Sequence, residues 1–170
     1  MILKALFYYL FHRNKNSKAD TTPAPRTDLS RYLGRWYELA RFNTPFENGL
    51  EEVYTDYKAL ANGKISVSNN GLDSRNHRHS AKAIGTPSGP GQMQVSFIPW
   101  LRFLSTPYNI LYVDDFYTNA LVSNESGSCL WFLSRKANID VEAFEMMIRE
   151  AQSRGFDLSD LHYTRHRYQA

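Results

Sequence analysis

The sequence predicts an all-β fold: an eight-stranded antiparallel up-and-down β-barrel, with a C-terminal α-helix packed outside it and a short final strand. Three observations predict this fold. Segments with period-2 alternation and β-branched or aromatic residues recur at roughly ten-residue spacing after residue 28. Turn signals separate them, and no helical pattern interrupts the first eight. Closure into a barrel is favoured because it removes exposed strand edges, and a sandwich is the alternative.

The eight strands follow one another along a single domain. The 170 residues are 42% hydrophobic, which suits one sizeable core. Asn62-Gly63 is expected to form the tight turn of the second hairpin, because this pair tolerates the positive φ angles of a type I′ turn. We predict strands at residues 35–43, 52–60, 63–70, 78–85, 91–98, 108–114, 117–123 and 129–135.

The pattern changes after the eighth strand. Residues 139–154 carry Val141, Phe144 and Ala151 at helical spacing on one face, and Gly155 can terminate this helix. An eight-stranded barrel encloses only side chains or one small ligand, so the helix must pack outside. A last apolar alternation from Phe156 to Tyr163 predicts a short strand beside the barrel.

The N-terminal region differs from the rest of the chain. We divide the chain into an apolar and basic segment with its linker, residues 1–27, and a domain at residues 28–170. Five of the 20 Lys and Arg and one of the 17 Asp and Glu precede Asp28, which leaves 15 against 16 for the domain. The net charge of +3 therefore belongs to the tail, and no nucleic-acid partner is expected. A degenerate export signal, an interfacial membrane anchor and a cytoplasmic arm all stay open for residues 1–27.

Three motifs carry a family resemblance. Gly34-Arg35-Trp36 opens the first strand, and residues 44–49 form a long first loop. Thr55-Asp56-Tyr57 follows in the second strand, and residues 131–135 read as a strand ending in arginine. In order and spacing these motifs resemble those of the lipocalins, and the bacterial outer-membrane and apolipoprotein D branch looks closest. The resemblance covers about residues 28–163.

The resemblance implies a carrier and no enzyme. A fatty acid or lysophospholipid is expected inside the barrel, stored or transported for membrane lipid maintenance, with no cofactor. Gly34, Trp36 and Arg135 are expected to close one end of the barrel, with the Arg135 guanidinium over Trp36. The resemblance also implies a location in the bacterial cell envelope, either the periplasm or the outer membrane. The cysteine that carries the lipid anchor of such proteins is missing from this N-terminal region.

Ligand contacts are expected at inward positions further along the strands. Strand parity counted from Arg135 and from Trp36 places Trp131, Cys129, Glu38 and Phe42 inside. Alternation selects Met93, Val95 and Phe97 on the fifth strand, and the resemblance favours Tyr57, Asn109 and Leu111, although polarity alone leaves Ile110 and Tyr112 open. The predicted ligand-binding residues are Trp131, Phe97, Val95, Met93, Tyr57, Asn109, Leu111 and Phe42.

Three further features of the sequence are candidate sites. Cys129 raises the alternative of a thiol-dependent lipid-converting enzyme, because rare enzymatic lipocalins use an inward thiol, but the sequence places no activating base beside it. Glu38 needs a partner inside the barrel, either Arg135 or a tyrosine hydroxyl. His77 and His79 share a strand face, yet two neighbouring arginines disfavour a metal ion, so no metal is expected.

An apolar loop at residues 98–104 is expected at the open end of the barrel. Exposed apolar surface of this kind usually marks an interaction site. Three roles remain open for this loop: it could contact a membrane surface, contact a second subunit in a homodimer, or simply close over the opening.

Overall fold

A computed structural model describes residues 15–42, 44, 47–97 and 105–167. The N-terminal residues 1–14 and the predicted apolar loop at 98–104 lie outside the described residues. The elements are α1 (Leu29–Tyr32), β1 (Gly34–Phe42), β2 (Glu51–Ala59), β3 (Ile65–Leu72), β4 (Arg78–Gly89), β5 (Gln92–Ser96), β6 (Thr106–Val113), β7 (Asn119–Ser123), β8 (Leu130–Ser134), α2 (Val141–Ser153) and β9 (Leu161–Tyr163).

The strands form a closed antiparallel barrel. Each strand from β2 to β7 pairs with the next one along the chain, and β8 then pairs with β1. β1 closes the ring because it also pairs with β2, with Gly34 opposite Tyr57. β9 lies outside the ring and pairs with the far part of β1, where Phe42 is opposite Leu161. The predicted barrel, outer helix and short final strand are confirmed.

Two groups of buried side chains lie on opposite sides of the barrel wall. The interior cluster lies inside the barrel and consists of Tyr32, Trp36, Tyr57, Ile65, Val67, Ala83, Met93, Val95, Ile110, Tyr117, Ala120, Val122 and Leu133, with Tyr108 and Trp131 partly buried against it. The outer cluster lies between the wall and α2 and consists of Leu39, Ala40, Phe42, Leu111, Leu121, Leu130, Phe132, Met147, Ala151 and Phe156.

Helix α2 covers one side of the barrel through a narrow apolar stripe. Met147 and Ala151 are buried against the wall. Val141, predicted on the same face, is 75% exposed because it lies in the first turn, beyond the contact. Neither helix in the described part of the chain has the length and apolar content needed to cross a bilayer.

A register shift in β1 reverses the side-chain parity of that strand. Glu38 is opposite Leu133 but Ala40 is opposite Phe132, so one extra residue separates the two pairs. Such a bulge turns every following side chain to the other face. The predicted inward placement of Phe42 is therefore wrong: Phe42 belongs to the outer cluster, with its ring 6.3 Å from that of Phe156.

β6 likewise departs from the predicted parity. Tyr108 and Ile110 face the interior, so Asn109 and Leu111 point outward, and the strand is bulged between Ile110 and Tyr112. The Asn109 amide donates to the Thr21 carbonyl at 3.0 Å. Leu111 lies in the outer cluster. The inward placement predicted for Asn109 and Leu111 is wrong.

Residues 15–27 cross the outer surface of the barrel as an extended strap. The Ala24 N–H donates to the Ile110 carbonyl at 2.9 Å. The Arg154 guanidinium at the end of α2 donates to the Thr22 carbonyl at 3.1 Å. Lys15 forms an ion pair with Asp160 at 2.7 Å. These bonds fix the strap against β6 and the C-terminal part of the chain.

Candidate functional site

One end of the barrel is closed by an aromatic and cationic stack. Trp36 is fully buried, and the Arg135 guanidinium lies 3.9 Å from the centroid of its indole ring. Tyr32, in the helical turn α1, stacks with the same indole ring, and the two ring centroids are 4.7 Å apart. Arg135 also donates to the backbone carbonyls of Arg35 and Arg31. These groups join α1, β1 and the residue after β8 across this end of the barrel.

Gly34 permits this arrangement. Its φ angle is +100°, and a Cβ there would lie 3.1 Å from Nη1 of Arg135. A larger residue would meet both backbone strain and the guanidinium.

Three tyrosines form a hydrogen-bonded chain within the interior. The Tyr108 hydroxyl lies 2.7 Å from the hydroxyl of Tyr32 and 2.7 Å from that of Tyr57. Burial raises the pKa of Tyr57 to about 12 and raises the pKa values of the other two well above their usual range. All three are therefore neutral phenols that both donate and accept hydrogen bonds.

Tyr108 and Trp131 form the accessible surface of the interior. Their rings stack at an interplanar angle of 22°, with centroids 6.5 Å apart. Both are half-buried, whereas Met93 and Ile110 beside them are fully buried. We refer to these two rings as the aromatic plate.

A buried polar group lies beside the plate, on β1 and the loop that follows it. Nη1 of Arg41 donates to Glu38 at 2.5 Å, and its Nη2 donates to the carbonyls of Glu47 and Leu50 at 2.5 and 3.1 Å. The Thr164 hydroxyl, just after β9, donates to the same Glu38 oxygen. The partner predicted for Glu38 was therefore wrong: it is Arg41 with Thr164, because the bulge turns Arg41 inward.

Glu47 extends from the loop to the aromatic plate. Its Oε1 accepts from Nε1 of Trp131 at 3.1 Å, and its Oε2 accepts from the Thr44 hydroxyl at 2.8 Å. Burial, and next the charge of Glu38, raise the pKa of Glu47 to about 7, while Arg41 opposes the rise. The carboxyl is thus a buried titratable group.

Sequence reasoning missed both Arg41 and Glu47. Parity counted without the bulge turned Arg41 outward, and Glu47 lies in a loop without periodicity. The one signal in the sequence that could have indicated Arg41 was the predicted inward position of Glu38, because a buried carboxylate needs a cation nearby.

Of the predicted ligand contacts, half lie in the interior. Met93, Val95, Tyr57 and Trp131 belong to the interior cluster or pack against it. Phe97 follows the end of β5 and is 56% exposed. Phe42, Asn109 and Leu111 are outside the barrel, as described above.

Cys129 and the histidine pair occupy separate places. Cys129 is fully buried just before β8, and its Sγ lies 3.9 Å from the Ser128 hydroxyl. His77 and His79 both lie against Oδ2 of Asp73, at 3.4 and 3.0 Å, on the exposed β3–β4 hairpin. Within the described residues, no three His, Cys, Asp or Glu side chains are grouped so that they could hold a metal ion.

Comparison with known proteins identifies the family. Residues 27–166 match the model of the Lipocalin-like domain family. The chain is a lipocalin. It is 36% identical over 138 residues to the outer membrane lipoprotein Blc of Escherichia coli, and the aligned region covers 78% of this chain and 75% of that protein. It is 33% identical over 146 residues to temperature-induced lipocalin-1 of Arabidopsis thaliana, with 81% and 78% covered.

Solved structures agree on the fold of this lipocalin. Insecticyanin from the tobacco hornworm Manduca sexta superposes with a TM-score of 0.67 over 87% of this chain and 85% of its own, at 17% identity. This likeness concerns the barrel architecture alone. Lipocalins are a family that binds small hydrophobic ligands.

Proposed function

We propose that this lipocalin binds a single-chain lipid, of the fatty acid or lysophospholipid class, inside its barrel, and stores or carries it in the service of membrane lipid maintenance. The observation that supports this most strongly is the half-buried plate of Tyr108 and Trp131 above an apolar interior. An acyl chain on this surface gains about 25 cal/mol per Å² of apolar area removed from water.

Entry is proposed from the open end only. Trp36, Arg135 and α1 shut the opposite end, so binding and release must pass Trp131 and the loop that carries Glu47. Binding in this mechanism is a reversible partition, and contact with a membrane or solvent at the open end releases the ligand.

The proposed place of action is the bacterial cell envelope, either periplasm or outer membrane. The Escherichia coli relative is named an outer membrane lipoprotein, which supports this location. A lipid carrier needs access to a membrane surface, and the open end is the part that would approach it.

The buried position of Cys129 supports a lipocalin that binds its lipid without converting it. A thiol that acts on a lipid must be reached by the substrate, and Cys129 is fully buried. Cys129→Ala tests this directly, because the substitution removes the thiol whether or not a reagent can reach it. Lipid affinity should be unchanged, and loss of any lipid conversion in Cys129→Ala would support the enzymatic alternative instead.

The experiment that tests the binding site is Trp131→Ala with Tyr112→Ala as the matched control. Trp131 belongs to the plate, whereas Tyr112 is a partly buried aromatic residue that packs against the outer cluster. Trp131→Ala should weaken lipid binding at least about tenfold, since an aromatic contact and its buried area are lost. Equal weakening by both substitutions would place the binding surface elsewhere.

A further inference from the structure

We propose that the open end of the barrel docks on the anionic head groups of a phospholipid bilayer through four exposed arginines, Arg75, Arg78, Arg165 and Arg167, which we call the arginine rim. Two segments far apart in sequence contribute them: the β3–β4 hairpin and the residues after β9. The inference goes beyond the proposed function, because it concerns the outer surface and not the ligand inside the barrel.

The β3–β4 hairpin lies at the open end. The first residue of β2 is opposite Leu72 at the end of β3, and Leu72 is opposite Arg78 at the start of β4. β2 reaches the closed end of the barrel at Tyr57, which is opposite Gly34. Arg75, between β3 and β4, therefore lies at the end of the barrel opposite to the closed one.

The residues after β9 join the hairpin at this end. The Thr164 N–H donates to the Leu39 carbonyl at 3.0 Å, and the Arg165 carbonyl accepts from the Glu52 N–H at 2.9 Å, so this part of the chain bonds to both β1 and β2. Nη1 of Arg167 then donates to Oδ1 of Asn76, in the hairpin, at 3.0 Å. This last bond joins residues that are 91 positions apart in sequence.

The guanidinium groups of the arginine rim carry their charge at the surface. All four residues are exposed. The side chain of Arg165 is 86% exposed, with its Nε 4.0 Å from Glu51. Arg78 and Arg167 donate to uncharged oxygens, a tyrosine hydroxyl at 2.9 Å and the side-chain amide described above. These charges are therefore available to an external anion.

The carboxylates at the same end are bonded to backbone N–H groups. Asp73 accepts from the N–H groups of Arg75 and His77 at 2.8 and 2.9 Å. Glu51 and Glu52 accept from two N–H groups of the chain after β9. The side chains of these three acids are only 19–28% exposed. The positive charge thus lies further out than the negative charge.

A bilayer is the anionic partner that this position favours. Arginine binds phosphate oxygens bidentately, and phospholipid head groups present many of them on one surface. β5 runs antiparallel to β4 and ends at the same end of the barrel, where Phe97 follows it and is 56% exposed. A bilayer offers an apolar layer beneath its phosphates for such a side chain, and a nucleic acid offers none.

The attraction is local to the open end. From residue 28 onward the chain has 15 Lys and Arg against 16 Asp and Glu, so the domain as a whole does not attract anions. Docking through the arginine rim would therefore orient the molecule, with its opening toward the lipids.

Co-sedimentation of the full chain with lipid vesicles tests the inference. One vesicle type is phosphatidylcholine alone, and the other contains roughly 30% phosphatidylglycerol. The wild type should bind the anionic vesicles at least about tenfold more tightly than the neutral ones. Raising the NaCl concentration from about 0.05 to 0.2 M should remove most of this advantage, because salt screens exposed charges.

Two double variants connect the binding to these residues. Arg75→Gln with Arg165→Gln should weaken binding to anionic vesicles at least about tenfold and leave neutral vesicles unaffected, since each basic side chain near such a surface contributes roughly fivefold. Lys58→Gln with Lys136→Gln is the matched control, because it removes the same charge from exposed positions at the closed end and should change binding less than about twofold.

Two further measurements separate docking from folding and from the interior site. Far-ultraviolet circular dichroism confirms that each variant is folded. Displacement of N-phenyl-1-naphthylamine by hexadecanoate reports binding inside the barrel and should be the same in both double variants as in the wild type. A wild type that binds anionic vesicles but takes up no lipid would support the docking inference and contradict the proposed function.

Three outcomes would overturn the inference. Unchanged vesicle binding by the arginine variant would mean that other residues meet the membrane. Equal weakening by the lysine variant would mean that net charge is the cause, and not the rim. Binding of a double-stranded oligonucleotide as tight as that of anionic vesicles would show a general polyanion surface without preference for lipid.

Discussion

The pH dependence of folding should reveal the buried Glu47 carboxyl. Its pKa is raised from 4.5 to about 7, mainly by burial and then by the charge of Glu38. A group whose pKa is higher in the folded state stabilises the fold below its unfolded pKa, and that contribution is lost as the pH rises through the folded pKa. The unfolding free energy should therefore fall by about 3 kcal/mol between pH 4.5 and a pH above 7.

Urea denaturation at a series of pH values measures this change. Other groups also titrate, so the informative quantity is the difference between wild type and Glu47→Gln at each pH. The difference should favour the variant increasingly above pH 4.5 and level off above about 7. Glu145→Gln, at an exposed position on α2, is the matched control and should follow the wild type. Parallel profiles for wild type and Glu47→Gln would refute the reasoning.

Three further substitutions test the closed end and the buried ion pair. Trp36→Ala should lower the unfolding free energy by about 3–5 kcal/mol, with lipid affinity of the folded fraction nearly unchanged; weaker binding at full stability would contradict its closing role. Gly34→Ala should cost about 1–3 kcal/mol by urea denaturation, because its φ angle is +100°, and a neutral result would show that α1 and Arg135 readjust freely. Arg41→Met should cost about 3–5 kcal/mol by leaving Glu38 buried and unpaired; if Glu38→Gln in the same chain restores no stability, the pair is not the cause.

The barrel could be predicted because its strands follow simple rules. Period-2 alternation on β5 placed Met93 and Val95 inward, and the structure has them there. The same rule counted back from Arg135 reached Trp131 on β8, a strand that contains no bulge. The turn residues predicted where strands end, and the G-x-W motif predicted the start of the first strand. Local pattern and closed fold agree over most of the chain, as expected when each strand buries one face inside.

The polar part of the site could not be predicted in this way. A bulge adds one residue to a strand, and nothing in the residues around Leu39 or Leu111 marks where it occurs. Phe42 was therefore placed inside and Arg41 outside, the reverse of what the structure has. Glu47 depends on how a loop folds back over the barrel, which is a tertiary property.

Native mass spectrometry of the protein purified from cells, followed by lipid extraction, tests the central claim most directly. We predict adducts with the mass of one single-chain lipid per barrel, much reduced in Trp131→Ala and unchanged in Tyr112→Ala. Protein that carries no lipid from cells, and takes up none when lipid is added, would contradict it.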